Sequence, residues 1–446
     1  MKQRRLNILF IHQNMPAQFK FLAPMLAAQG HRVLFLTRAC RAKLPGVTEV
    51  IYPAPRGANP ETHLYVRGFE EAVLHGQAVV RAIGQIQARG FKPDLVIAHP
   101  GWGEALFLKD VLPDVPLITF AELGYRGHGL DVGFDPEETC TLSTICRARA
   151  RNAHLMLSLE AADAAVSPTL WQKTSHPDAL QSKIDIIFDG IDTDIVRPRP
   201  DASVMLPDGR IVRRGDPIIT YVARNLEPYR GFRTFIRAIP LIQQQRPDAD
   251  IIIVGGDKVS YGRKPTGFAS WREAMEAEVR FDKSRVHFLG RAAYDDYLSI
   301  LAISGAHAYL TYPFVLSWSC MEALAMGALV VASDTGPVRE VISDGENGLL
   351  TDFFDAQALA DRLVGAINDP ARYEHLREAA VRTVQERYSV ERCLPQWNDL
   401  IDRVMMSGGA ETQPMSATVS QLEPRGNRTM RRRTAARQRA GALRRA

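Results

Sequence analysis

Short β-branched runs, each closed by polar or glycine residues and followed by an amphipathic stretch, recur along nearly the whole chain. In the first half the runs are Ile8–Ile11, Arg32–Thr37, Leu95–Ala98, Leu117–Phe120, Ala164–Ser167 and Ile184–Phe188. Helical stretches such as Gln18–Gln29 and Tyr65–Arg89 lie between them. Strands alternating with helices make βαβ units, and βαβ units make a parallel sheet covered on both faces. Near Asp189–Pro200 the texture changes to turn chemistry, and Leu206–Val212 reads as a small hairpin. The alternation then restarts with Ile218–Ala223, a helix over Gly231–Gln244, and runs at Asp250–Val254, Val286–Leu289, His307–Leu310 and Leu329–Ala332. The pattern predicts an α/β chain of two Rossmann-like, doubly wound domains facing each other across a cleft. The expected divisions are 1–193, 194–385, and a helix over 386–407 that crosses back to the first domain. The last helical stretch, Ala371–Met405, is expected to break near Pro395.

With 446 residues, 46% of them apolar and 24% charged, the chain has material for two cores. Its five cysteines are scattered and form no C-x-x-C pair, which points to free thiols in a reducing compartment. No stretch approaches the roughly 20 apolar residues of a membrane span. The apolar run after the basic start is four residues long, so it reads as a first strand and not as a signal peptide. The net charge of +5 comes from the C-terminus, where Arg425–Ala446 holds nine arginines and no acid. Without that tail the chain is mildly acidic. Residues 408–446 have few large apolar side chains and are expected to be disordered.

Ligands of doubly wound sheets bind beyond the carboxyl ends of the strands, so the strand-end loops carry the candidate chemistry. In Thr311–Ala332 a strand end leads through a polar loop into a helix starting near Ser317 or Ser319, with Glu322 a turn further in. The free N–H groups and dipole of that helix start suit a phosphate. Glu322 either accepts from two vicinal ribose hydroxyls or complements the helix dipole. In Tyr221–Phe232, Arg224 follows a strand and Arg230 begins a helix. Guanidinium forks match phosphate oxygens, so the pair reads as a diphosphate clamp, the bland alternative being two solvated arginines.

The first of these segments resembles the donor-site signature of family-4 (group 1) glycosyltransferases, a Glu-x7-Glu motif followed by Ala-Met-Ala-x-Gly-x-Pro-Val-Val-Ala. Glu322 matches the second Glu, which in that family holds the ribose. Phe314 stands where the first Glu is expected, and Leu316, Ser317, Trp318 and Ser319 replace the family's glycine-rich stretch. The second segment is similar to the family's Gly-Arg-…-Glu-Lys-Gly element, with Arg224 for the Arg and Arg230 for the Lys. Gly336–Leu350 resembles its Gly-Gly-x-x-Glu-x-Ile segment, and the Gly336 backbone is a candidate phosphate neighbour. Val286–Arg291 is similar to the strand bordering the nucleobase, placing Gly290 and Arg291 there. Gly255 lies on another strand-end loop of the cleft.

The resemblance implies a GT-B fold with an acceptor-side first domain and a nucleotide-sugar donor domain second. In the first domain Asn14 and Gln18 leave the first strand where the family has a loop touching phosphate and acceptor. His99 resembles the family's cleft histidine. Trp102, Glu104, Glu122 and Tyr125 are acceptor-side candidates, followed by Arg126, Asp131 and Asp135.

The implied activity is retaining transfer of a hexosyl-type sugar from a nucleoside-diphosphate sugar, itself a substrate, to an acceptor hydroxyl. The resemblance implies no metal and no cofactor, and Asp192-Thr-Asp194 reads as turn chemistry rather than a metal motif. His99, Arg224 and Arg230 are the expected catalytic residues. The acceptor is a glycan, a lipid-linked sugar or a small molecule, as in polysaccharide biosynthesis. A cytoplasmic protein is expected, the Arg-rich tail offering contact with anionic lipid at the inner membrane face, at ~1 kcal/mol per basic residue. The alternative is a degenerate GT-B protein that binds sugar nucleotides or serves as a partner subunit, which Phe314 favours. A dinucleotide oxidoreductase would need Gly-x-Gly-x-x-Gly after a first strand, and neither half has it. No aromatics interleave the tail arginines, which argues against specific nucleic-acid binding.

Overall fold

The computed structural model describes residues 4–407, so the expectations for the tail 408–446 lie outside the described residues. Thirteen strands build the two main sheets. The first holds β1 (Asn7–Ile11), β2 (Arg32–Thr37), β3 (Val47–Ile51), β4 (Leu95–Ala98), β5 (Leu117–Phe120), β6 (Ala164–Ser167) and β7 (Ile184–Ile186). Its order is β3-β2-β1-β4-β5-β6-β7 and every pairing is parallel. The second holds β8 (Ile218–Asn225), β9 (Asp250–Gly256), β10 (Val286–Gly290), β11 (Ala306–Tyr309), β12 (Val330–Ser333) and β13 (Leu349–Thr351). Its order is β10-β9-β8-β11-β12-β13, again all parallel. Both sheets reverse winding beside their first strand, at β1/β4 and β8/β11, which is where such sheets bind ligands.

The strands are apolar on both sides because helices cover both faces. Thus β1, β4, β5 and β6 are buried almost end to end. The edge strand β3 was not expected, because Val-Thr-Glu-Val-Ile is half exposed and no helix follows it closely. The antiparallel hairpin of Ser203–Met205 and Ile211–Arg213 occupies the expected place between the sheets.

The last helical region does not break at Pro395. It breaks at Tyr388–Ser389, between the helices Glu374–Arg387 and Val390–Ser407. There the backbone bridges to the first domain: Ile191 N–H donates to Tyr388 O (2.8 Å) and Val390 N–H to Ile191 O (2.9 Å). The helix Val390–Ser407 buries Trp397, Leu400, Ile401 and Val404 in a cluster shared with Ile8, Phe120 and Phe188 of the first domain.

A second link runs the other way. The segment 126–141 loops out from the first domain, and its residues 131–138 touch the second. Phe134 packs within about 5 Å of the rings of Tyr312, Phe353 and Phe354. Asp135 accepts from Arg233 and Tyr312. Glu137 pairs with Arg233 and Arg237.

Candidate functional site

A cavity of about 290 Å³ lies between the sheets, at the carboxyl ends of β4, β5 and β8. Six of the expected residues line it: His99, Trp102, Glu122, Tyr125, Asp131 and Arg224. Phe314 lines it as well, so the position that carries a carboxylate in the resembling motif is here an apolar wall. Phe314 sits edge-on to Tyr229 (5.5 Å between centroids) and beside Tyr261 (4.9 Å).

His99 follows β4 and is 2% exposed. Its Nδ1 accepts from Gly101 N–H at 3.1 Å, which puts the ring proton on Nε2. That nitrogen faces Glu122 Oε2 at 3.6 Å. The ring stacks on Phe120 at 5.4 Å and lies 4.8 Å from His12. Gln18 Nε2 donates to Glu122 Oε1 at 3.1 Å, bringing the β1 loop to the same carboxylate. Burial pushes the Glu122 carboxyl up, but His99 and Gln18, with Arg224 facing it, hold it below the usual carboxylate range.

Arg224 is exposed at the end of β8 and donates no hydrogen bond among the described residues. Arg230 behaves differently. The left-handed turn at Gly231 (φ 69°) turns residue 230 back toward β11, where its Nη1 donates to Thr311 Oγ1 (2.7 Å) and Val315 O (3.1 Å). It is buried beneath the Tyr261 ring, 5.4 Å from the centroid. The expected two-arginine clamp is therefore one arginine in the cavity and one behind its wall.

The Thr311–Ala332 segment forms the helix Trp318–Ala325 with Ser317 at its N-cap. The Ser317 N–H is used by Tyr309 Oη (3.0 Å), and its hydroxyl pairs with that of Ser319. Trp318 Nε1 donates to Asp189 of the first domain at 2.7 Å, and Leu316 belongs to the core. Glu322 opens on a neighbouring cleft pocket with Lys20, Asp192 and Tyr294. Tyr294 and Tyr297 donate to its two oxygens at 2.8 and 2.7 Å. Gly290, with positive φ, and Arg291 are exposed at the end of β10. A Cβ on Gly256 would stand 3.2 Å from Arg291 Nε.

Several expected residues are elsewhere. Glu104 is fully buried inside the first domain and accepts from Tyr52 Oη (3.0 Å) and Trp102 N–H (3.2 Å); burial raises its pKa. It is absent from the cavity lining. Asn14 pairs with Ala39 in a short two-residue ladder and lies off the cavity lining. Gly255 is packed against Leu226, where a Cβ would come within 2.6 Å. Gly336 meets Trp171 of the first domain at 2.4 Å from a notional Cβ. Arg126 is bonded to the carbonyls of Thr174 and Ser175, and Asp135 belongs to the 126–141 link.

Residues not singled out from the sequence complete the cavity: Thr119, Arg151, Tyr229, Ser260 and Tyr261. The loop carrying Ser260 and Tyr261 is fixed by buried Glu227, which accepts from the N–H groups of Ser260, Tyr261 and Gly262 at 2.9–3.1 Å. The acid between Leu226 and Pro228 was the available signal for it. Buried unpartnered polar atoms among the described residues include Asp131 Oδ1, Thr119 Oγ1 and His99 Nε2, all from cavity residues. No group of three His, Cys, Asp or Glu side chains among the described residues could hold a metal. No helix among them is long and apolar enough to cross a membrane.

Residues 29–196 match the family model "Glycosyl transferase family 4 group", and 209–383 match "Glycosyl transferases group 1". A D-inositol 3-phosphate glycosyltransferase of Nocardioides sp. is 26% identical over 81% of this chain and 79% of its own. A phosphatidyl-myo-inositol mannosyltransferase of Mycobacterium tuberculosis is 31% identical over 46% of this chain and 51% of its own. Among solved structures, the sucrose-phosphate synthase of Thermosynechococcus elongatus superposes with a TM-score of 0.68 at 18% identity, covering 90% of this chain and 100% of that one. Anabaena HepE in complex with UDP-glucose gives 0.60 at 16%, with the same coverage.

Proposed function

From a chain that belongs to the group 1 glycosyltransferases of GT-B fold, we propose a retaining, metal-independent enzyme. It moves a sugar from a nucleoside-diphosphate sugar to an acceptor hydroxyl. One observation carries the proposal: Arg224 projects from the donor domain into a cavity whose opposite wall is His99 and Glu122 of the first domain. A guanidinium free to meet a diphosphate stabilises the charge that develops as the glycosidic bond breaks, which is commonly the largest catalytic term. The helix Trp318–Ala325 adds a positive dipole end, and Tyr294 and Tyr297 orient Glu322, the proposed ribose partner. In this proposal the charge of the leaving group is met by side chains and needs no divalent ion. The names of the curated relatives support a polyol or glycan hydroxyl as acceptor. Free thiols support a cytoplasmic setting.

The test is a thermal-shift series with UDP, GDP and ADP on wild type and Arg224→Ala, with and without EDTA. A ligand of the folded state raises its melting temperature by mass action. One diphosphate should stabilise the wild type, EDTA should leave that shift intact, and the variant should lose it while staying folded. An unchanged shift in Arg224→Ala would remove the assigned role. Phe314 favours a second reading, a sugar-nucleotide binder without turnover. The same diphosphate shift with no sugar transfer or donor hydrolysis would select it.

A further inference from the structure

The cavity lacks a carboxylate on its donor-side wall at position 314, yet it has one on the opposite wall. We propose that Glu122, held by His99 and Gln18, is the group that receives the acceptor hydroxyl and takes its proton as the sugar is transferred. This rests on the glycosyltransferase function proposed above and adds a catalytic residue to it.

Three observations converge on Glu122. One of its oxygens is oriented by a donor, Gln18 Nε2 at 3.1 Å on Oε1, and the other faces His99 Nε2 at 3.6 Å. The His99 tautomer is itself set by Gly101 N–H. The Glu122 backbone is pinned as well, its carbonyl accepting from Gln172 Nε2 at 2.8 Å. Finally, the side chain is 35% exposed, and that exposure opens on the cavity. A structural carboxylate such as Glu104 is fully enclosed by its partners; Glu122 is oriented on one side and open on the other.

Arg224 lines the same cavity and faces Glu122 closely enough to lower its pKa. Base and diphosphate clamp therefore border the same cavity. In the step the acceptor O–H gives its proton to the Glu122 carboxylate and the acceptor oxygen bonds to the anomeric carbon. The bond from that carbon to the phosphate oxygen breaks, and its electron pair leaves with the nucleoside diphosphate opposite Arg224. Retention of the anomeric configuration requires the acceptor oxygen to enter on the face that the diphosphate leaves. His99 and Gln18 are positioning residues.

The experiment supplies UDP-glucose, GDP-mannose or ADP-glucose to the full chain with water as acceptor and follows nucleoside-diphosphate release across pH. Glu122→Gln should lower turnover about 100-fold, the lower end of what a general base contributes. Its thermal shift with the matching diphosphate should stay within about twofold of wild type in apparent affinity. A base works only when deprotonated, so wild-type turnover should fall on the acid side. His99→Gln and, more mildly, Gln18→Ala remove donors that hold the Glu122 pKa down, so both should move that acid limb to higher pH. Turnover and limb unchanged in Glu122→Gln would overturn the proposal and leave the donor site standing. So would His99 and Gln18 variants that lose rate with no displacement of the limb. Absence of wild-type binding and turnover with all three donors would overturn the glycosyltransferase function itself, and this proposal with it.

Discussion

The Glu322 carboxylate accepts from Tyr294 on one oxygen and Tyr297 on the other, so its orientation is set by the helix Tyr294–Ala302 and not by its own. Tyr297 is 9% exposed and Tyr294 is 49% exposed. Removing the buried hydroxyl leaves an acceptor short of a partner, at about 1–3 kcal/mol. Tyr297→Phe should therefore lower stability by that order in a denaturant titration and weaken nucleoside-diphosphate binding. Tyr294→Phe, whose hydroxyl site water can refill, should do less on both counts. Loss of stability with unchanged diphosphate affinity would limit Tyr297 to packing. Glu322 was legible in the sequence because a helix start after a strand end fixes which face a residue one turn in presents. Glu104 and Glu122 were not distinguishable there. Both follow a strand by a few residues, and what separates them is tertiary: Glu104 meets Tyr52 and Glu122 meets Gln18.

At the scale of elements, strand–helix alternation made both sheets legible, because burying both faces of a parallel sheet demands uniformly apolar runs. The strand β3 escaped because an edge strand buries only part of itself. The link formed by residues 126–141 escaped for a stronger reason. It has the Gly, Asp and Glu content of a solvated loop, and only its landing site on the second domain gives those residues partners. Arg233 and Asp135 are 10% and 4% exposed there. Truncating one partner of a buried pair costs about 3–5 kcal/mol, because the other charge stays buried alone. Glu137 and Glu138 also face Arg233 and offset part of that cost. Asp135→Ala should thus destabilise by the lower part of that range, and Phe134→Ala should add a loss from its three ring contacts. Limited proteolysis should then cut within 126–141 faster than in wild type. Unchanged cleavage and melting would mean that the link carries no load between the domains.

For the whole molecule, the two domains meet at a hydrogen bond whose acceptor titrates. Asp189 follows β7 of the first domain and accepts from Trp318 Nε1 at the start of the donor helix, at 2.7 Å. Burial pushes its pKa from 3.8 up to about 7; Glu122 adds to the rise, while Trp318, Lys20 and His99 oppose it. A carboxyl whose folded-state pKa is raised holds a proton in the native state that the unfolded chain has already lost. Its contribution to stability is full below about 3.8, declines as pH rises, and is gone once pH passes about 7. Asp189→Asn stays neutral at every pH and keeps an oxygen for the indole N–H, so it should lack this decline. Melting curves of both proteins from pH 5 to 8 separate the effect, because every other titrating group is common to the two. The difference between variant and wild type should grow in favour of the variant toward pH 8. Parallel curves would mean that Asp189 is already ionised in the folded protein, with Lys20 as its counter-charge. The same titration bears on catalysis. Trp318 opens the donor-site helix, so a charge appearing at Asp189 acts on the junction that sets how the donor half faces His99 and Glu122. Nucleoside-diphosphate affinity should accordingly change between pH 6 and 8 in the wild type and stay flatter in Asp189→Asn.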